Sequence, residues 1–249
     1  MIEPWTLIAI AATFLLAGGV KGVIGLGLPT VSLGLLAATL DLTTAMALLL
    51  IPSFVTNIWQ AFVGGNGQKI IRRIWPFLCL ATITIGLGAK ALATIETFYL
   101  SILLGLLLLA YASLNLLGFR LEVNHQRERW VGSFMGIANG IFTGMTGSFV
   151  VPGVLFLQAI GLPRDMLVQA MGMLFSLSTI GLGFALQKNN LLTTELATLS
   201  AVAVIPAILG MMFGQRIRKA LSEKKFRRVF FISIFILGAF IIIKAGLAK

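Results

Sequence analysis

Lys21 stands alone in apolar sequence, between Gly19 and Gly22 and far from the other basic residues. An ammonium inside a bilayer is costly unless it snorkels to water or meets an anion, so Lys21 marks a candidate anion site. The glycines around it belong to a block that occurs twice. Residues 18–31 read GGVKGVIGLGLPTV and residues 140–154 read GIFTGMTGSFVVPGV, which aligns Gly22 with Gly144 and Gly25 with Gly147, 122 positions apart. After a one-residue slip, Pro29 aligns with Pro152, Ala47 with Ala170, Ser53 with Ser176 and Thr56 with Thr179.

These blocks suit anion binding by backbone. Gly22, Gly25, Gly27, Gly144 and Gly147 let the chain leave helical geometry or approach a neighbour closely. Pro29 and Pro152 lie just inside the following segments, where a missing N–H weakens helical bonding. Free N–H groups at the start of such half-helices carry partial positive charge. Close packing of membrane helices is the competing use of the same glycines.

A polar row adds donors. Ser53 and Thr56 share a helical face, Ser176 and Thr179 repeat the pair, and Asn57 and Gln60 extend the row in the first half only. Asn139, Thr143, Thr146 and Ser148 surround the second glycine block. Hydroxyls and amides can donate to an oxyanion, or bond within and between helices.

Other chemistry has no residues to carry it. The acids Glu3, Asp41, Glu96, Glu122, Glu128, Asp165, Glu195 and Glu223 fall at expected segment ends or loops, so no buried carboxylate relay is expected. The single histidine, His125, lies in a polar loop, which removes a Ser–His dyad and histidine-rich metal sites. The single cysteine, Cys79, lies in an apolar segment and forms neither an intrachain disulfide nor a metal cluster. No GxxxxGK[ST] motif is present, and no cofactor is expected.

The elements that must position these residues are membrane helices. The chain has 249 residues, 58% of them hydrophobic and 11% charged, which does not describe a soluble core. The N-terminus MIEPWTL lacks the positive region of a signal peptide, so residues 5–20 are kept as a structural helix. Five apolar segments are expected per half: 5–20, 22–39, 43–63, 74–93 and 97–118, then 130–143, 147–161, 166–187, 193–213 and 228–247. The third to fifth of each set can cross a hydrocarbon core about 30 Å thick. The first two of each are short and either span with tilt or re-enter, giving eight to ten transmembrane or re-entrant helices in one all-α integral membrane domain.

Charge sets orientation. The formal charge of +11 is concentrated in three loops. Lys69, Arg72 and Arg73 fall in 64–73; Arg120, Arg127 and Arg129 in 119–129; Arg216, Arg218, Lys219, Lys224, Lys225, Arg227 and Arg228 in 214–228. Such loops face the cytoplasm, and no basic, aromatic-interleaved surface is left for a nucleic acid. The basic loop joins the third and fourth segments of the first half but the fourth and fifth of the second. Two inverted-topology repeats follow, 1–123 and 124–249, with both termini outward. Paired Gly/Pro interruptions in inverted repeats are the mark of a transport site.

The block AGGVKGVIGLGLPTVSLGLL, its second copy MGIANGIFTGMTGSFVVPGVLFL and the two-half layout resemble the TauE/SafE family of sulfite exporters. The resemblance covers essentially the whole chain, and the paired glycine blocks are its specific part. It implies an inner-membrane permease for sulfite or related sulfur anions, including sulfonates and thiosulfate. The family's motif glycines carry over to Gly22, Gly25 and Gly27, then Gly140, Gly144 and Gly147, with Pro152 following. Two departures stand out. Relatives that import thiosulfate use cysteines near the path, where this chain has only Cys79, and Ser148 replaces a glycine common in the second copy.

The expected protein is therefore not an enzyme but a permease moving sulfite or an organosulfonate, outward and by alternating access as one half rocks against the other. Lys21 and the glycine-block amides would hold the anion near the pseudo-twofold axis, with the serine and threonine hydroxyls lining the path. Outward movement needs no coupled ion, because an inside-negative membrane drives anions out by about 2.3 kcal/mol per charge per 100 mV. The lipid bilayer and the small anion are the only partners expected. A permease for another small anion such as a carboxylate, and a non-transporting membrane assembly protein or enzyme, are the alternatives. The enzyme lacks a convergent acid, base, nucleophile or metal set; the assembly protein lacks extramembrane sequence for a partner.

Overall fold

A computed structural model describes residues 3–119, 121–218 and 222–247, so Arg120 and Lys219 of the expected basic loops lie outside the described residues. In chain order the helices are α1 (Pro4–Ile24), α2 (Leu28–Thr39), α3 (Leu42–Leu48), α4 (Leu50–Phe62), α5 (Gly67–Ile83), α6 (Ile85–Thr94) and α7 (Thr97–Leu116). A 3-10 turn at His125–Arg127 leads into α8 (Glu128–Thr146), followed by α9 (Gly153–Ala159), α10 (Arg164–Lys188), α11 (Thr194–Val202), α12 (Val204–Ile217) and α13 (Glu223–Leu247). No strand occurs among the described residues.

Six stretches are long and apolar enough to cross a membrane: 4–24, 67–94, 97–116, 164–188, 194–217 and 224–247. The bent pair α3 and α4 makes a seventh. The eight to ten expected transmembrane or re-entrant helices also included shorter segments. The remaining expected segments are 22–39, 130–143 and 147–161: α2 has 12 residues, α9 only seven, and α8 carries Glu128, Arg129, Asn139, Thr143 and Thr146 among its apolar residues. The outward faces are apolar, as at Phe134, Phe184, Ile205 and Phe213, and all four tryptophans are exposed. Both features suit a lipid environment.

The chain divides into two compact units, each drawing on both halves of the sequence. Unit 1 comprises Met1–Pro52, Ser101–Leu117 and Thr193–Lys249; unit 2 comprises Ser53–Leu100 and Gly118–Leu192.

In unit 1, α1 lies against α12. A side chain at Gly18 would strike the Ala207 carbonyl and one at Gly22 the Met211 carbonyl; reciprocally, Gly210 faces the Leu15 carbonyl and Gly214 that of Gly19. Backbone meets backbone along this seam, as small residues permit in membrane helices. The helix then ends at Gly25, where φ is 79° and the N–H donates to the Lys21 carbonyl at 2.8 Å. L-residues resist that conformation, so glycine sets the stop. α2 packs on α13, whose Lys244 Nζ donates to the Ala38 carbonyl at 2.8 Å, one of those left unpaired at the end of α2.

The chain bends by 45° between α3 and α4. Pro52 has no N–H, and its ring crowds the carbonyl four residues earlier, that of Leu48. Ser200 of α11 repairs the gap: its hydroxyl donates to Leu48 O at 2.8 Å and accepts from Ile51 N at 3.0 Å.

Unit 2 repeats the glycine seam with other helices, α8 against α5 and α6. A Cβ on Gly140 would lie 2.5 Å from the Ala81 carbonyl oxygen, one on Gly144 would strike the Ile85 carbonyl, and Gly88 faces the Ile141 carbonyl in return. α8 ends at Gly147, with φ 73° and its N–H on the Thr143 carbonyl at 2.8 Å. At the other end of α8, Arg73 clamps three segments. Its Nε donates to Glu128 Oε2 at 2.9 Å, and its Nη2 donates to Glu128 Oε1 and, at 2.8 Å, to the Ile160 carbonyl.

Four expected boundaries move. α1 continues through Lys21 and Gly22 to Ile24, so the break falls at Gly25–Gly27 rather than at residue 21. α8 likewise runs to Thr146 rather than stopping at 143. Lys69, Arg72 and Arg73 sit on α5, and Lys224, Lys225, Arg227 and Arg228 on α13, because helical bonding extends the spans into the charged sequence. Long cationic side chains tolerate this by reaching along the helix to water.

Candidate anion-binding site

In unit 1 the candidates cluster at the end of α1. Lys21 occupies its last helical turn and is only 4% exposed. Gly22 beside it belongs to the seam with α12, which accounts for its missing side chain. Gly25 and Gly27 form the break itself, with φ of 79° and 107°, and α2 starts at once with Pro29 in its first turn.

All other candidates fall in unit 2. Asn139, Thr143 and Thr146 share α8 with Gly144 and are fully buried. Gly144, like Gly22, is a seam residue; Gly147 is the break. Three polar groups close the turn internally. Thr143 Oγ1 donates to Ser148 O at 2.9 Å, Thr146 Oγ1 donates to Phe142 O at 2.7 Å, and Ser148 N donates to Thr146 Oγ1 at 3.2 Å. Ser148, in the place of a family glycine, is therefore held by its backbone, and it is buried.

The duplicated Ser/Thr pairs divide the same way in both copies. Thr56 Oγ1 donates to Ser53 O at 3.4 Å and Thr179 Oγ1 to Phe175 O at 2.7 Å, the ordinary resting place of a helical hydroxyl. Ser53 and Ser176 do not rest there: both Oγ atoms are buried without a hydrogen-bond partner among the described residues. Asn57 is wholly buried on the same helix as Ser53. Gln60 serves packing instead, its Nε2 donating to Val168 O at 2.7 Å.

Sequence reasoning missed three polar residues. Ser178 is buried with its Oγ unpartnered among the described residues, but stands two positions from Ser176 and so off the helical face that drew attention to the pair. Gln169, an amide in the N-terminal part of α10, accepts from Asn66 N at 3.1 Å and donates to Ala61 O at 2.9 Å. Ser200 is the splint of the α3–α4 bend. Only contact across α11 reveals it, since nothing in its local sequence signals a partner about 150 residues away.

Each unit thus pairs a helix stopped by a left-handed glycine with buried polar groups: an ammonium in unit 1, and neutral donors in unit 2. Such groups can hold an anion. No curated protein and no solved structure matches the chain. The family model described as sulfite exporter TauE/SafE matches residues 10–241, nearly the whole length. The chain belongs to the TauE/SafE family of sulfite exporters.

Proposed function

We propose that this protein moves sulfite or an organosulfonate outward across the bacterial inner membrane, with access alternating between its two faces. The observation that carries the reading is the twice-built helix break. Gly25 and Gly147 stop α1 and α8 in the same left-handed conformation, four residues after Lys21 and Thr143 respectively. A helix interrupted inside a membrane leaves backbone groups for a solute, and such interruptions come in pairs in inverted-repeat transporters.

An inverted repeat is supported from two sides. The basic loops fall on opposite sides of equivalent segments. The glycine seams also correspond: α1 of the first half packs on α12 of the second, and α8 of the second on α5 and α6 of the first. On this reading both termini face outward. Within unit 1, Lys21 supplies positive charge beside the break at Gly25 and Gly27; within unit 2, the break at Gly147 stands beside buried donors able to hydrogen-bond oxygen atoms. The permeant is a small oxyanion, and the protein is a transporter, not an enzyme.

Proteoliposomes loaded with ³⁵S-sulfite test this. Efflux above protein-free vesicles, inhibited by unlabelled sulfite and sulfonates but not by acetate or malonate, is the expected result. Efflux blocked by carboxylates rather than sulfonates would assign a carboxylate permease, and no flux from folded protein would overturn transport.

A further inference from the structure

Unit 2 contains a buried amide that its own fold uses at one end only. Asn139 on α8 is wholly buried, and its Oδ1 accepts from Gly153 N at 2.9 Å. That bond fixes the orientation of the carboxamide, because only its oxygen can meet an N–H. The other limb, Nδ2, carries two donors and has no hydrogen-bond partner among the described residues. Gly153 makes the arrangement possible: a Cβ there would lie 2.5 Å from Asn139 Oδ1 and 2.9 Å from Leu174 Cδ2. The amide therefore sits where α8, the start of α9 and α10 come together.

A buried donor left unsatisfied destabilises a native interior, so one that is kept calls for an explanation. Asn139 is not a spare polar group left over from packing, since its oxygen is engaged by Gly153 N–H. Nor does unit 2 surround it with charge. Glu128 is the buried charged residue there among those described, and it lies 11 positions earlier on α8, where Arg73 clamps it. The complement of Nδ2 must be an acceptor, which an ammonium does not offer and an anionic oxygen offers most strongly.

We propose that Asn139, oriented by Gly153 N–H, reads the permeant by donating from Nδ2 to an unprotonated oxyanion oxygen. This rests on the anion-permease reading and gives it a selectivity element. Neutral donors bind an oxyanion by its hydrogen-bonding capacity rather than by net charge, so a monoanionic sulfonate satisfies Asn139 as well as sulfite does.

The test uses full-length protein in proteoliposomes with ³⁵S-methanesulfonate and ³⁵S-sulfite as probes. Asn139→Asp keeps the shape and the acceptor for Gly153 N–H while replacing both donors with an acceptor oxygen. Asn139→Ser removes the reach without adding charge, and serves if the first variant fails to fold. The expected result at pH 8 is a KM at least tenfold higher for both probes, with Vmax nearly retained in Asn139→Ser. Methanesulfonate should raise the thermal midpoint of the wild type and not that of either variant. A folded variant with wild-type KM and wild-type protection by methanesulfonate would overturn the assignment and leave permeation standing. Absence of flux in the wild type would remove the permease reading and this inference with it.

Discussion

Two single residues make opposite demands on the fold. Lys21 is buried in the last turn of α1. If it serves the anion, Lys21→Ala should lower sulfite flux by tenfold or more, about 1.4 kcal/mol or above in transition-state terms, while Lys21→Arg retains charge and part of the flux. Glu128, in the first turn of α8 and outside the apolar segment 130–143, serves structure. The hydrogen bond from Arg73 holds its carboxyl below the usual range, against the opposing effect of burial, and His125 at 3.2 Å adds to the lowering. A carboxyl lowered on folding stabilises fully above its unfolded pKa, and the contribution is lost as pH falls through the folded one. The thermal midpoint of the wild type should therefore fall more steeply than that of Glu128→Gln as pH drops below the ordinary glutamate range. At pH 7 the variant should be less stable by about 1.5–3 kcal/mol, the worth of hydrogen bonds to a charged group. Equal pH profiles would show the clamp to be idle.

Helices explain which parts of this were legible in the sequence. The glycine blocks were readable because they are duplicated and local: Gly25 and Gly147 do stop helices. Their neighbours Gly22 and Gly144 were harder, since glycine spacing looks alike whether the chain turns or two helices touch. Only the opposing carbonyls of Met211 and Ile85 assign them to seams. The exchange of partners, α1 with α12 and α8 with α5 and α6, was invisible because apolar periodicity says that a face is covered and not by what. The seam gives a sharp contrast. Gly22→Val should abolish a monodisperse protein or cost at least the 1–3 kcal/mol typical of overpacking, roughly, whereas Gly19→Ala, with the nearest atom 3.8 Å away, should be tolerated. The α3–α4 bend gives another. Ser200→Ala strands Leu48 O and Ile51 N, at about 1–3 kcal/mol per buried group, and Ser200→Thr should restore much of the midpoint. An unchanged midpoint in Ser200→Ala would mean that the bend satisfies itself.

At the scale of the molecule, family and membrane character follow from features spread along the whole chain, and so were readable early. Composition, apolar segments and paired glycine blocks all point one way, and the family match spans 10–241. The division into two units was not readable, because each gathers segments from both sequence halves. The account's central claim concerns transport: an anion carried outward needs no coupled ion when the membrane is negative inside. The most direct measurement is ³⁵S-sulfite efflux from proteoliposomes under a potassium-diffusion potential, beside Lys21→Ala. The account predicts efflux that rises as the interior becomes more negative and is lost in the variant. Efflux indifferent to the potential, or equal in Lys21→Ala, would contradict it.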